Sequence, residues 1–550
     1  MTAPAADTTY ITGRIVRTDL DGSDPNASAE AMIVENGKIT AIGSKADVPA
    51  PSGATTVDIS DGYVLPGLIE PHSHPSVAAF QLCYAVIDIR PVTLFTADDV
   101  WAAIKKQVAA KSDPKADNRW VLANGWDPLL QKGLTEPHIA DLDQASPDVP
   151  LVILHNSGHS VYFNSKAAEY CKITKDTPDP AGSKFGRDAN GDLTGVGYES
   201  GAVQMVVEPF LQSLQSQMPQ LFMAHLQGLQ KAGITTVGDL GWTAQFNPLI
   251  QGLQKMSGGA LPVRLRAYEL SAPGAKATLP VENGDAWFRQ VGIKLISDGS
   301  PWVGNIGTSF PYLTNDATKA IGLEPNHIGK PNFTKEQMVA ICEQYVGDGW
   351  QMATHSHGDV AIDLTLDTYE AVIKKHKLTD HRFRVEHCGL MTPEQFQRAQ
   401  SLGVTTSLFV DHITYWGEVL EDDLFGKEHG GAWADAGAAL AAGIAISFHN
   451  DGTVTPCEPL RNIAVAETRM TRLGRTMSGG TKVPRDAALR GHTSNAAWQL
   501  KSEDEIGTLK VGNFADLTVI DQDPRTAAAE DLATAKVLAT AHGGVLTPVS

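Results

Sequence analysis

The stretch "PGLIEPHSHP", Pro66 to Pro75, decides how the rest of the chain is read. It runs apolar through Leu68 and Ile69, turns acidic at Glu70, and then places His72 and His74 two residues apart. In an extended strand, side chains two apart share a face, so Leu68, Glu70, His72 and His74 project together and both imidazoles reach one point. An apolar strand that ends in polar ligand types is expected where strands of a parallel sheet present their carboxyl ends.

The same pattern recurs along the chain. Short apolar runs follow Gly or a polar loop at 63–74, 233–241, 262–270, 291–299, 350–359, 381–389, 403–412 and 443–452. Most follow a segment of helical period, such as "TPEQFQRAQSL", with Thr392 as N-cap and Glu394 in the first turn. Eight near-continuous apolar strands alternating with helices predict a parallel sheet closed into a (β/α)8 barrel. Residues 76–232 are too many for one crossover and predict an inserted subdomain. Near the start, "YITGRIVRTD" and "AMIVENGKITAIG" alternate as strands, with Asn36-Gly37 as a tight hairpin turn. "GTLKVGNFADLTVID" near the other end has the same character, so the two ends are expected to pair. The predicted organisation is a β-sandwich from 1–62 plus 455–550, entered by a helical connection from the barrel; a barrel from 63–75 plus 233–454; and the insertion at 76–232.

Composition bounds the function. The formal charge of −19 argues against nucleic acid or an anionic membrane as partner. Five scattered cysteines without a C-x-x-C spacing suggest neither a disulfide framework nor a zinc knuckle. With no leader-like pattern at the start and no apolar run of about 18 residues, the expected location is cytoplasmic. A small-molecule substrate is the expected partner, a homodimer is compatible with the chain, and the sequence fixes no oligomeric state.

Ligand-type residues fall where the predicted strands end. His72 and His74 end the first, His355 the fifth, His387 the sixth and Asp451 the eighth, while Lys294 lies within the fourth. Each has an ordinary reading: His387 as a hydrogen-bonded core histidine, Asp451 as a turn residue before Gly452, Lys294 as half of a salt bridge with Asp298 or another barrel carboxylate. Their coincidence at one rim favours a divalent ion. Imidazole and carboxylate suit zinc, and also manganese, iron or cobalt.

The chain resembles the amidohydrolase superfamily, in its YtcJ-like branch, also called amidohydrolase family 3, which includes N-substituted formamide deformylases. The resemblance is carried by "PGLIEPHSHP", "NGWD" (124–127), "NSGHSVYFNSKAA" (156–168), "GITTVGD", "KLISDGS", "HSHGD", "RVEHC", "DHITYWG", "FHNDGTVTPCEPL" and "EIGTLKVGNFADLTVIDQDP". It implies a metal-bearing barrel with a β-sandwich built from both chain ends, and with the inserted subdomain at 76–232 covering the active site. It carries the metal ligands onto His72, His74, Lys294, His355, His387 and Asp451, with one or two ions, zinc foremost. In two-metal relatives the lysine is N6-carboxylated and bridges the ions, which would explain a buried Lys294. Glu70 stands where relatives usually have Asp. His357 replaces a more usual small or apolar residue, and His449 departs from a common Ser-Asp context. For both histidines, roles behind the ligands or against substrate are expected rather than metal binding.

The implied chemistry is hydrolysis of a C-N bond in an amide, formamide or cyclic amide. A divalent ion lowers the pKa of bound water from 15.7 to about 7. Asp451 is the expected general base, with Lys294 and His355 in the catalytic set. His159 of "NSGHS", Trp126, Tyr415, Trp416 and His357 are the expected substrate contacts, suggesting an apolar or aromatic group on the substrate. A lyase or isomerase on the same metal barrel, and a non-catalytic metal-binding scaffold, are the alternatives.

Overall fold

The computed structural model describes residues 8–549 except 114, 117, 181, 182, 272 and 273. Its centre is an eight-stranded parallel sheet in which every strand pairs with its neighbour in chain order. The strands are β1 (Leu68–Ser73), β2 (Ile234–Trp242), β3 (Arg264–Leu270), β4 (Phe288–Ile296), β5 (Gln351–Ser356), β6 (Arg384–His387), β7 (Thr405–Leu408) and β8 (Ser447–Phe448). Each lies within or across one of the eight apolar runs. All six residues of β1 are buried, which is why such strands read as continuous apolar stretches rather than alternating ones.

The barrel is nearly closed. Between β8 and β1 the seam is held by side chains and loop backbone: Asn450 N donates to Glu70 Oε1 (3.1 Å), and His74 N and Ser73 Oγ both donate to Gly452 O (3.1 Å each). Glu70 therefore clasps the seam, a reach that suits its longer carboxylate. Polar side chains fill the barrel's interior, where Arg384 donates to Tyr268 (3.1 Å) and Tyr268 to Gln351 (2.7 Å).

Helices on the outside follow their local signals. Thr392 caps Pro393–Ser401 in a capping box with Gln395, and Glu394 lies in the first turn. The segment between β1 and β2 carries a six-stranded sheet whose strands run from Val86–Asp88 to Leu193–Tyr198. Not all of it belongs to that sheet: helix Met218–Lys231 packs Phe222, Leu226 and Leu229 against Ile234 and Val237 of β2, so the last part of the insertion walls the barrel.

The two ends form one seven-stranded sheet, in which Leu517–Ile520 pairs with Thr55–Pro66. Strands from both ends bury one cluster, including Ile11, Met32, Val64, Leu517 and Val519, so the sheet folds over on itself. Its two hairpin turns meet: Asn36 and Gly37 both take left-handed backbone (φ 52° and 80°), and a Cβ on Gly37 would lie 3.5 Å from the Cα of Gly543. Helices Pro459–Thr468, Arg485–Gly491 and Ser494–Gln499 pack on the barrel rather than on this sheet. Among the described residues, no helix is long and apolar enough to cross a membrane.

Candidate metal centre

β1 and β6 set the first histidine. His72 is fully buried, and its Nδ1 lies 2.7 Å from Glu386 Oε2. A carboxylate accepts only, so Nδ1 carries the hydrogen and the Nε2 lone pair faces the barrel mouth. Glu386 is in turn held by Arg384, with Nε 2.7 Å from Oε1 and a second nitrogen donating to Oε2 at 3.0 Å. At the mouth, His72 Nε2 is 3.1 Å from Lys294 Nζ and 3.4 Å from Asp451 Oδ1, and His74 Nε2 is 3.0 Å from the same oxygen. Burial, aided by Lys294, drives His72 well below its ordinary pKa, so it stands neutral, in the form that ligates a metal.

Lys294 on β4 is 2% exposed, and burial brings its amine down to about 8 against the pull of Glu386 and Asp451. It does not pair with Asp298. That carboxylate instead accepts the backbone N–H groups of His357 (3.0 Å), Gly358 (2.8 Å) and Gly307 (3.3 Å), clamping the turn after β5.

His355 Nε2 is 2.9 Å from Gly299 O, which fixes that nitrogen as donor and leaves Nδ1 as a free ligand atom. His387 Nδ1 meets His449 Nε2 at 3.0 Å, and His449 Nδ1 meets Ser407 Oγ at 2.9 Å. Three positions at this rim adopt left-handed backbone without being glycine: His387 (φ 69°), Cys388 (φ 55°) and Asp451 (φ 50°). Such conformations cost about 1–3 kcal/mol each and gather where geometry serves function. Asp451 sits in a turn fixed by its neighbour Asn450, which donates to Asp411 Oδ2 (3.0 Å); Arg461 grips the same carboxylate. Burial works to raise the Asp451 carboxyl, yet His74, His449 and Lys294 hold it below the usual range.

Three trios place one donor atom from each member within 4.8 Å of the others: His72, His74 and Asp451; His72, His387 and His449; and His355, His357 and His387. Buried atoms without partners mark the same place, among them His387 Nε2 and Glu70 Oε2. Imidazoles packed around one carboxylate and one lysine, with unpartnered buried nitrogen among them, fit a divalent ion.

The amidohydrolase family model matches residues 55–548. The chain belongs to the amidohydrolase family. It is a hydrolase family, and a metal-dependent one, in keeping with the trios above. The chain is 26% identical to an N-substituted formamide deformylase of Arthrobacter pascens over 95% of each chain. It is also 26% identical to the protein LONG AFTER FAR-RED 3 of Arabidopsis thaliana, over 94% of this chain and 88% of that one. The fold matches a solved, uncharacterised metal-dependent hydrolase from Pyrococcus horikoshii OT3, with TM-score 0.73 and 20% identity, covering 95% of this chain and 99% of that one.

Around this amidohydrolase centre the residues expected to touch substrate are unequally placed. His159 Nδ1 is 2.9 Å from Glu199 Oε2, and Asn305 donates to Glu199 Oε1 at 2.7 Å. His159 acts electrostatically on His355 and Asp298, and lines a 760 Å³ cavity reaching Gly299, the residue that orients His355. Trp416 is fully buried, stacked on Trp302 at 4.7 Å, and Trp302 meets His412 edge-on at 4.9 Å. Tyr415 is flanked by the guanidinium groups of Arg461 and Arg472 at 5.2 and 5.3 Å. Trp126 is 1% exposed inside the inserted sheet, against Trp101 and Tyr162, and borders a separate cavity with Lys105 and Asp141. The structure does not bring it to the histidines. Its neighbour Asp127 makes the link instead, accepting from Trp416 Nε1 at 3.2 Å.

Sequence reasoning missed Glu386, Arg384 and Glu199, and gave Asp298 a different role. The first two stood in the open in "RVEHC", where two charges inside an otherwise apolar strand signal a buried pair. Asp298 and Glu199 carried no such signal, because their roles depend on loops brought together by the fold.

Proposed function

We propose that this amidohydrolase cleaves a C-N bond in a small amide, formamide or cyclic amide bearing an apolar or aromatic group, with Asp451 as general base. The observation that supports this is the convergence of His72, His74 and Asp451, with Lys294 Nζ 3.1 Å from His72 Nε2, at one end of the barrel. His72, His74 and Asp451 would hold an ion on one side, His355 and His387 on the other, with an N6-carboxylated Lys294 between them. Bound there, a zinc-class ion supplies a Lewis acid and makes water a nucleophile at neutral pH.

The chain's own groups do the remainder. Asp451, kept ionised by its basic surroundings, takes a proton from the attacking water and returns it to the leaving nitrogen. Glu386 keeps the His72 ring aimed and in one tautomer. His159, braced by Glu199, lines the cavity that reaches Gly299, and in this reading it hydrogen-bonds the substrate carbonyl. The deformylase likeness makes N-substituted formamides the first class to try.

The test is a screen of formamides, N-acyl amino acids and cyclic amides in ¹⁸O-labelled water, with metal analysis of the same samples. Solvent oxygen in the product acid supports hydrolysis; turnover without it points to elimination or isomerisation, and metal without turnover to a scaffold. Asp451→Asn should keep metal better than activity, losing about 10²–10⁴-fold in kcat. Unchanged turnover would move the base elsewhere.

A further inference from the structure

We infer that His357 is a metal ligand, and that His355, His357 and His387 form an all-imidazole pocket for a second ion. The inference rests on the metal-dependent reading above and departs from the ligand set the resemblance carries, which has a small or apolar residue at 357. His355 and His357 lie two apart at the end of β5 and share a face, and one donor atom from each lies within 4.8 Å of the other and of one on His387.

The surroundings hold the His357 ring for this purpose. Its backbone N–H is pinned by Asp298. Its ring stacks on His387 at 4.7 Å and on His412 and Trp433 at 5.5 Å each. A Cβ on residue 389 would come within 2.5 Å of Trp433 and 2.9 Å of His357 Nδ1, so only Gly389 admits both rings. The chain keeps an imidazole there, 3% exposed, with Nδ1 buried and lacking any hydrogen-bond partner. A buried imidazole with an unpartnered nitrogen is unfavourable unless a ligand completes it.

His449, the other departure from the family pattern, prepares the same pocket. With His387 Nδ1 donating to His449 Nε2, and His449 Nδ1 donating to Ser407, each hydrogen has an acceptor, and the buried, partnerless His387 Nε2 is left as a bare lone pair. His355 likewise has one nitrogen occupied by Gly299 O and the other free. Three imidazoles plus an open position is a catalytic-site arrangement for zinc or cobalt, and bonds of about 2.0–2.1 Å imply donor atoms about 3.3 Å apart. The trio need draw in by no more than about 1.5 Å, within the range of small side-chain rotations.

The probe is cobalt(II) alone, added to the chelator-stripped full-length protein and followed by metal analysis, titration calorimetry and the cobalt visible absorption. Wild type is expected to take two equivalents. His357→Ile, which fills the stack, and His357→Gln are each expected to keep the equivalent held by His72, His74 and Asp451, and to bind the second at least about tenfold more weakly, with a changed spectrum. Metal-free melting temperatures near wild type show that the variants fold; if one does not fold, the other decides. Equal stoichiometry, affinity and spectrum in wild type and a folded variant overturn the inference while leaving the metal-dependent reading intact. A wild-type protein that binds no cobalt overturns both.

Discussion

The barrel carries two His-x-His pairs at strand ends, His72 with His74 on β1 and His355 with His357 on β5, and they are built differently. The β1 pair is set by charged partners: Glu386 behind His72, and Asp451 and Lys294 in front. The β5 pair is set by backbone and aromatic faces: a carbonyl behind His355, and a stack of rings around His357. Carboxylates stand beside the first pair, whereas buried imidazoles held neutral by desolvation surround the second. The same three-letter pattern in sequence thus yields two electrostatic environments, because the neighbours come from other strands.

This contrast can be broken or sharpened by substitution. His72→Ala should have the largest effect, stripping metal and lowering kcat/KM by about 10³-fold or more, since a metal supplies several kcal/mol of stabilisation to developing charge. Metal content by mass spectrometry alongside steady-state kinetics checks it; a metal-free variant with wild-type activity refutes the assignment of the first pair. Glu386→Gln should weaken metal binding by about 10–100-fold while Arg384 retains a neutral partner. If calorimetry shows no loss, the charged partner behind His72 has no role in aiming it.

On the β5 side the equivalent change is milder. Ser407→Ala removes the acceptor at the end of the His387–His449 relay, and should cost about 1 kcal/mol in chemical denaturation, with less than tenfold loss of the second equivalent of metal. An effect as large as that of Glu386→Gln would make the two sides alike and erase the distinction. Trp126→Phe sets the floor. As a residue of the inserted sheet away from both pairs, it should leave kcat/KM within about twofold and lower the melting temperature only, so a raised KM would restore it as a substrate contact.

Much of the fold was legible because buried parallel strands need unbroken apolar runs, and eight such runs were countable. The ends of those runs also displayed His72, His74, His355, His387 and Asp451, which the fold draws into overlapping trios at one rim. Lys294 was legible as an anomaly, a charge in an apolar strand. Its neighbours were not: Asp298, an apparent partner four residues on, turned to clamp the next loop instead. Trp126 was hidden by a related effect. The motif "NGWD" does reach the barrel, but through the carboxylate of Asp127, with the larger ring left to fill the insertion's own core.

By itself the sequence determined the barrel, the pairing of its ends and which strands end in histidine or aspartate, because these follow from local period and from residue types at strand termini. Only the tertiary structure decided which nitrogen of each histidine is free, which carboxylate aims which ring, and that His357 and His449 converge on His387. Those depend on distances between residues far apart in the chain, 314 positions for His72 and Glu386, and such distances are set by closure of the sheet rather than by any local pattern.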